Sequence, residues 1–247
     1  MITNQSLPVM TEAETNRVDL KSYALVTAAY WGFTLTDGAL RMLVLLYFNT
    51  LGYSPLEVAA LFVLYEFFGM VTNLLGGWLG ARFGLKLTLF SGLAIQIGAL
   101  GMLALLPSTW PQWAAIAYVM SSQALSGIAK DLTKMSSKSA IKLVTPANAQ
   151  AALFKWVAIL TGSKNALKGV GFFLGGALLA TMGFAGSLWV MAVGLSFVLL
   201  LSVLFLKRDM GKSKSKAPFK QLFSKTPAIN VLSAARFFLF GARDVWF

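Results

Sequence analysis

Neither cysteine nor histidine occurs among the 247 residues, and only nine carboxylates stand against 21 lysines and arginines. Without cysteine there are no disulfides and no thiol nucleophile. Without histidine the usual zinc sites go as well, and carboxyls are left as the main groups for proton exchange near neutral pH. What remains holds no nucleophile–base constellation, no phosphate loop and no metal cluster. An enzyme reading therefore has no support, and neither a metal nor another cofactor is expected. Residues 1–20 are polar, lacking the basic and apolar regions of a secretory signal, and read as a cytoplasmic tail.

Apolar residues supply what the chain has in excess. They make up 57% of it against 12% charged, with a mean hydropathy of +0.71. Runs of about 18 or more apolar residues indicate transmembrane helices. Six complete spans are expected, near 22–48, 55–79, 87–106, 113–133, 150–181 and 187–206, with another beginning near Ala228. The turns Asn49-Thr-Leu-Gly-Tyr-Ser-Pro55, Pro107-Ser-Thr-Trp-Pro111 and Met182-Gly-Phe-Ala-Gly186 contain no Lys or Arg. The alternate loops carry Arg82 and Lys86, then Lys138 and Lys142, then a basic stretch from Lys207 to Lys225. This is the positive-inside pattern, and it places the N-terminus in the cytoplasm. It also explains a net charge of +12 without nucleic acid. The domain plan that follows is a tail (1–20), a six-helix bundle (21–206), a solvated basic linker (207–227) and the start of a second bundle (228–247). The chain is thus expected to be the N-terminal portion of a longer polypeptide.

Within this apolar background some charges sit at membrane depth. Ser126-Gly-Ile-Ala-Lys-Asp-Leu-Thr-Lys134 and Thr161-Gly-Ser-Lys-Asn-Ala-Leu-Lys168 each hold lysines four apart, so Lys130/Lys134 and Lys164/Lys168 share helix faces. A charge at the bilayer centre costs about 2.5–3.5 kcal/mol on the translocon scale, and such residues usually face an interior pathway. At about 1.5 Å of rise per residue, Lys130 lies roughly 25 Å and Lys168 roughly 18 Å from the periplasmic ends of their spans. Asp37 and Arg41 are four apart in the first span, where they either face a cavity or form an internal ion pair. Glu66 lies near the middle of the second. Arg236, Arg243 and Asp244 fall within the last apolar segment. Six cations (Arg41, Lys130, Lys164, Lys168, Arg236, Arg243) against four acids (Asp37, Glu66, Asp131, Asp244) leave a surplus of two. Lys134 lies at the cytoplasmic edge of this set, paired with Asp131 or snorkelling, while Lys138 and Lys142 read as a solvated face. Two cations about 6 Å apart at an effective dielectric near 20 repel by about 3 kcal/mol, which a small anionic ligand would relieve. Asp37 and Glu66 are the candidates for proton coupling.

Six spans, a basic cytoplasmic linker and further spans resemble the plan of a major facilitator transporter. Gly77-Trp-Leu-Gly-Ala-Arg-Phe-Gly-Leu-Lys86 is similar to that superfamily's loop motif G-x-L-x-D-R-x-G-x-R/K through Gly77, Leu79, Arg82, Gly84 and Lys86. Ala81 stands where the family has an acid that helps latch its two halves, so that role is not carried over. In the fifth span Gly171-Phe-Phe-Leu-Gly-Gly176 resembles the antiporter element G-P-x-x-G-G, with Phe172 in place of proline; Gly171, Gly175 and Gly176 serve equally well for plain helix packing. The resemblance implies an all-α polytopic membrane protein with the major facilitator fold: an N-terminal six-helix bundle, a linker and the start of a seventh of twelve helices.

One branch is closer still. Thr34-Leu-Thr-Asp-Gly-Ala-Leu-Arg-Met-Leu-Val44, the 126–142 lysine segment, Leu160-Thr-Gly-Ser-Lys-Asn-Ala-Leu-Lys-Gly-Val-Gly171 and Ser233-Ala-Ala-Arg-Phe-Phe-Leu-Phe-Gly-Ala-Arg-Asp-Val-Trp246 resemble the organoarsenical efflux permeases of arsenic-resistance operons, the ArsJ family. That likeness implies export of 1-arseno-3-phosphoglycerate across the inner membrane, conferring arsenate resistance. The functional partner it implies is a glyceraldehyde-3-phosphate dehydrogenase that makes the compound. Export of another organic anion or a drug, and a non-transporting membrane interaction subunit, are the rival readings.

Overall fold

The computed structural model describes residues 20–107, 109–144, 150–206 and 227–245. The tail at 1–19 and most of the basic linker, 207–226, lie outside the described residues. Seven helices are present among them: α1 (Leu20–Thr50), a short α2 (Pro55–Ala60), α3 (Val63–Phe83), α4 (Leu85–Ala104), α5 (Gln112–Val144), α6 (Gln150–Phe205) and α7 (Pro227–Val245). In α6 a single residue, Gly183 (φ 68°, ψ −177°), leaves helical geometry and divides the element into two arms. Counting α2–α3 as one pass and α6 as two, the chain crosses the bundle six times before α7.

Local chemistry sets the ends of these elements. α1 stops in a Schellman turn: Tyr53 N donates to Phe48 O at 3.1 Å, Gly52 N donates to Asn49 O at 3.1 Å, and Gly52 supplies the positive φ of 86°. α2 begins with a capping box between Ser54 and Glu57 and has Pro55 in its first turn, where a missing N–H costs nothing. The helix then breaks at Leu61 and Phe62, one turn before Tyr65 and Glu66. α3 and α4 meet at Gly84 alone, at φ 87° and ψ 151°, a region open essentially to glycine. Gly84→Ala should therefore lower stability by about 1–3 kcal/mol, read as an earlier thermal transition of the detergent-solubilised protein.

Three helical stretches are long and apolar enough to span a membrane: Pro55–Phe83, Leu85–Ala104 and Gln150–Phe205. α1 and α5, of 31 and 33 residues, have the length but carry most of the buried charged and hydroxyl side chains. Large apolar side chains such as Phe154, Phe173 and Phe197 face outward, as a lipid solvent favours. α5 runs through Val144, well beyond the expected limit near 133, so Lys138 stays on the helix and is half-buried rather than part of a solvated face. The side chain of Lys142 lies outside the described residues.

α1 is the spine. It packs along the first arm of α6 in the same direction, from the Tyr23–Trp156 ring contact (4.5 Å) to the stacking of Tyr47 on Phe184 (4.0 Å), just past the Gly183 break. Between them the backbones touch: a Cβ on Gly171 would lie 2.6 Å from Leu35 O, and one on Gly175 2.3 Å from Ala39 O. Two of three apolar clusters among the described residues pack along much of α1. One gathers Leu43, Phe48, Leu103 and Leu188; the other gathers Val26, Phe33, Leu89 and Leu195. Along α1, Asp37 and Arg41 fall between Phe33 of the second cluster and Leu43 of the first.

Candidate functional site

Four helices turn one polar face each toward a common cavity of about 350 Å³. From α1 come Tyr30, Thr34, Asp37 and Arg41, whose spacing of three or four is one helical stripe. From α3 come Glu66, Met70 and Asn73, with Gly69 left bare because a Cβ there would lie 2.9 Å from an Asp131 oxygen. α5 contributes Lys130, Asp131 and Lys134, and the first arm of α6 contributes Lys164, Lys168 and Phe172. Residues spread over more than a hundred positions thus line one space.

The pairing inside it is selective. Glu66 holds two cations, Arg41 Nη2 on Oε1 and Lys130 Nζ on Oε2 at 3.0 Å. Lys134 Nζ meets Asp131 Oδ1 at 2.9 Å along its own helix. Asp37 accepts a hydrogen bond from the hydroxyl of Tyr65. The salt bridge of Arg41 is thus to Glu66 across α1 and α3, not to Asp37 within α1. Lys164 and Lys168 form no salt bridge among the described residues; Lys168 sits 5.6 Å from the Phe172 ring centroid. Five cations and three carboxylates line the cavity, a surplus of two.

Tyr65 escaped the sequence reading. It is fully buried, and its ring centroid is 4.2 Å from both Arg41 Cζ and Lys130 Nζ. A tyrosine in an apolar run reads as packing, and only its place beside Glu66 hinted at more. The close approach that seats it was also missed: a Cβ on Gly127 of α5 would lie 2.0 Å from Tyr65 O.

The other candidate positions divide. Arg236, Arg243 and Asp244 fall on α7, which packs against α3, but their side chains lie outside the described residues. In the loop motif Gly84 makes the turn, Arg82 stacks on Trp78 at 5.2 Å, and Lys86 Nζ donates to Leu206 O at 2.7 Å, covering a carbonyl just past α6. Gly77 opens onto empty space. Gly171 and Gly175 lie in the α1 contact, whereas Gly176 makes only ordinary contact with Leu46.

Among solved structures the chain is similar to a peptide transporter POT in complex with sulfate, at 18% identity and a TM-score of 0.57, covering 92% of this chain and 47% of that one. A mutant form of POT in complex with alafosfalin is similar at 19% identity and a TM-score of 0.54, covering 90% and 46%. At such identities the likeness is one of fold, and the chain spans a little under half the length of those transporters. No curated protein matches it. The Major Facilitator Superfamily profile matches residues 24–247. An all-helical membrane chain with this topology, matched over nearly its whole length, belongs to the Major Facilitator Superfamily.

Proposed function

We propose that the chain forms the anion-binding half of an exporter that moves a small organic oxyanion across the membrane by alternating access. The observation that carries this reading is the pair Lys164 and Lys168, two cations without salt bridges among the described residues, in a cavity with a positive surplus of two. Burial of unpaired charge is costly, and an anionic ligand supplies the counter-charge. A cavity of about 350 Å³ is at the small end of ligand sites. The resemblance to the arsenic-resistance permeases favours 1-arseno-3-phosphoglycerate, whose two oxyanion groups suit cations spread over three helices. It also favours an inner-membrane location and a glyceraldehyde-3-phosphate dehydrogenase as the functional partner, while the basic loops favour a cytoplasmic N-terminus. For proton coupling Asp37 is the better candidate, since it engages a tyrosine hydroxyl while Glu66 is committed to two cations.

Everted membrane vesicles carrying the intact transporter test the reading. They should accumulate enzymatically generated 1-arseno-3-phosphoglycerate and leave free arsenate outside. Equal uptake of 3-phosphoglycerate would move the assignment to a general organic-anion exporter. No uptake of any anion would refute it. Export that persists after collapse of the proton gradient would remove Asp37 from the coupling role.

A further inference from the structure

Glu66 occupies the ground an incoming anion needs. Its two oxygens are spent on cations from different helices, Arg41 of α1 and Lys130 of α5. A carboxylate bridging a guanidinium and an ammonium presents the same acceptors as two oxygens of a phosphate-like group. The contrast with Asp131 is instructive. Asp131 takes Lys134 three residues along the same helix, so that bridge lies within α5.

Tyr65 explains how the two cations stay in place when the carboxylate lets go. Its ring lies 4.2 Å from each, and its hydroxyl is tied to Asp37. A cation on an aromatic face in a desolvated site keeps an attraction that needs no carboxylate. Lys164 and Lys168, without salt bridges among the described residues, line the same cavity.

We propose that Glu66 is an internal counter-anion that the transported anion displaces from Arg41 and Lys130, so that its charge sets both how tightly the substrate binds and how readily it leaves. The inference rests on the anion reading of the cavity. Competition of this kind weakens binding by the free energy of breaking the two internal bridges. It also speeds release, because Glu66 retakes the cations as the substrate departs. Two opposite effects therefore come from one side chain.

The test uses the intact transporter in nanodiscs and proteoliposomes, with 3-phosphoglycerate and enzymatically generated 1-arseno-3-phosphoglycerate as the probes. Glu66→Gln should tighten binding by about tenfold or more while lowering turnover by a similar factor. Glu66→Asp, which keeps the charge, should stay much closer to the parent in both. Unchanged or weaker binding in a monodisperse Glu66→Gln protein overturns the proposal. Should that variant fail to fold, infrared difference spectra of the unsubstituted protein decide instead. Addition of the probe that the parent binds should shift a carboxylate band that moves again in Glu66→Asp, and an unshifted spectrum overturns the proposal. Absence of anion binding in the parent and both variants overturns the anion cavity itself, which distinguishes the two failures.

Discussion

Lys168→Gln, and separately Lys164→Gln, should each cut anion transport by about 10- to 100-fold while leaving the protein in the membrane at normal levels. A hydrogen bond to a charged group is worth about 1.5–3 kcal/mol, and about 1.4 kcal/mol is a factor of ten. Neither lysine forms a salt bridge among the described residues, so removing one strands no carboxylate partner there. Each substitution also relieves the repulsion between two ammonium groups one helical turn apart, roughly 3 kcal/mol at an effective dielectric near 20. Folding should therefore be unharmed or improved where transport fails, an unusual combination. Lys→Arg at the same sites keeps the charge but changes its shape and should restore only part of the rate. Transport by either glutamine variant within twofold of the parent would end the case for an anion site at these lysines.

Gly127→Val should be the most damaging single substitution to folding. The new Cβ would sit 2.0 Å from Tyr65 O and 2.8 Å from Tyr65 C, against backbone rather than a side chain that could rotate away. α3 cannot easily retreat, because Tyr65 is fully buried and the next residue ties α3 to α1 and α5. The cost should exceed the about 1–3 kcal/mol of ordinary overpacking. Loss of the monodisperse species on size exclusion is the expected readout. Gly77→Val is the matched control, since a Cβ there meets nothing within 4 Å. If the two variants behave alike, the packing argument fails.

What the sequence made legible follows from periodicity. Loop charge and apolar runs located six passes, and i, i+4 spacing found the lysine faces on α5 and α6. The glycine pattern at 171–176 marked a close contact, which Gly171 and Gly175 make with the α1 backbone and Gly176 does not. Pairing was less readable. Asp37 and Arg41 lie four apart, yet the rotation of α1 against α3 gives Arg41 to Glu66 and Asp37 to Tyr65. Such choices depend on how whole helices are set against one another, which no local window contains. The break at Leu61 and Phe62 was invisible for a related reason: no proline or glycine marks it. Lys138 was misread because a helix can outrun its apolar stretch.

The backbone contact at Gly171 and Gly175 has a mechanical consequence. With no layer of side chains between Leu35–Ala39 and the first arm of α6, the two segments have nothing to slide upon. Arg41 and Lys168, each within an adjoining turn of that contact, are therefore fixed to a common frame, like two marks on a single ruler. Any change in the shape of the cavity falls to the opposite wall, where α3 starts from an interrupted helix and its polar ties to α1 run through Glu66 and Tyr65.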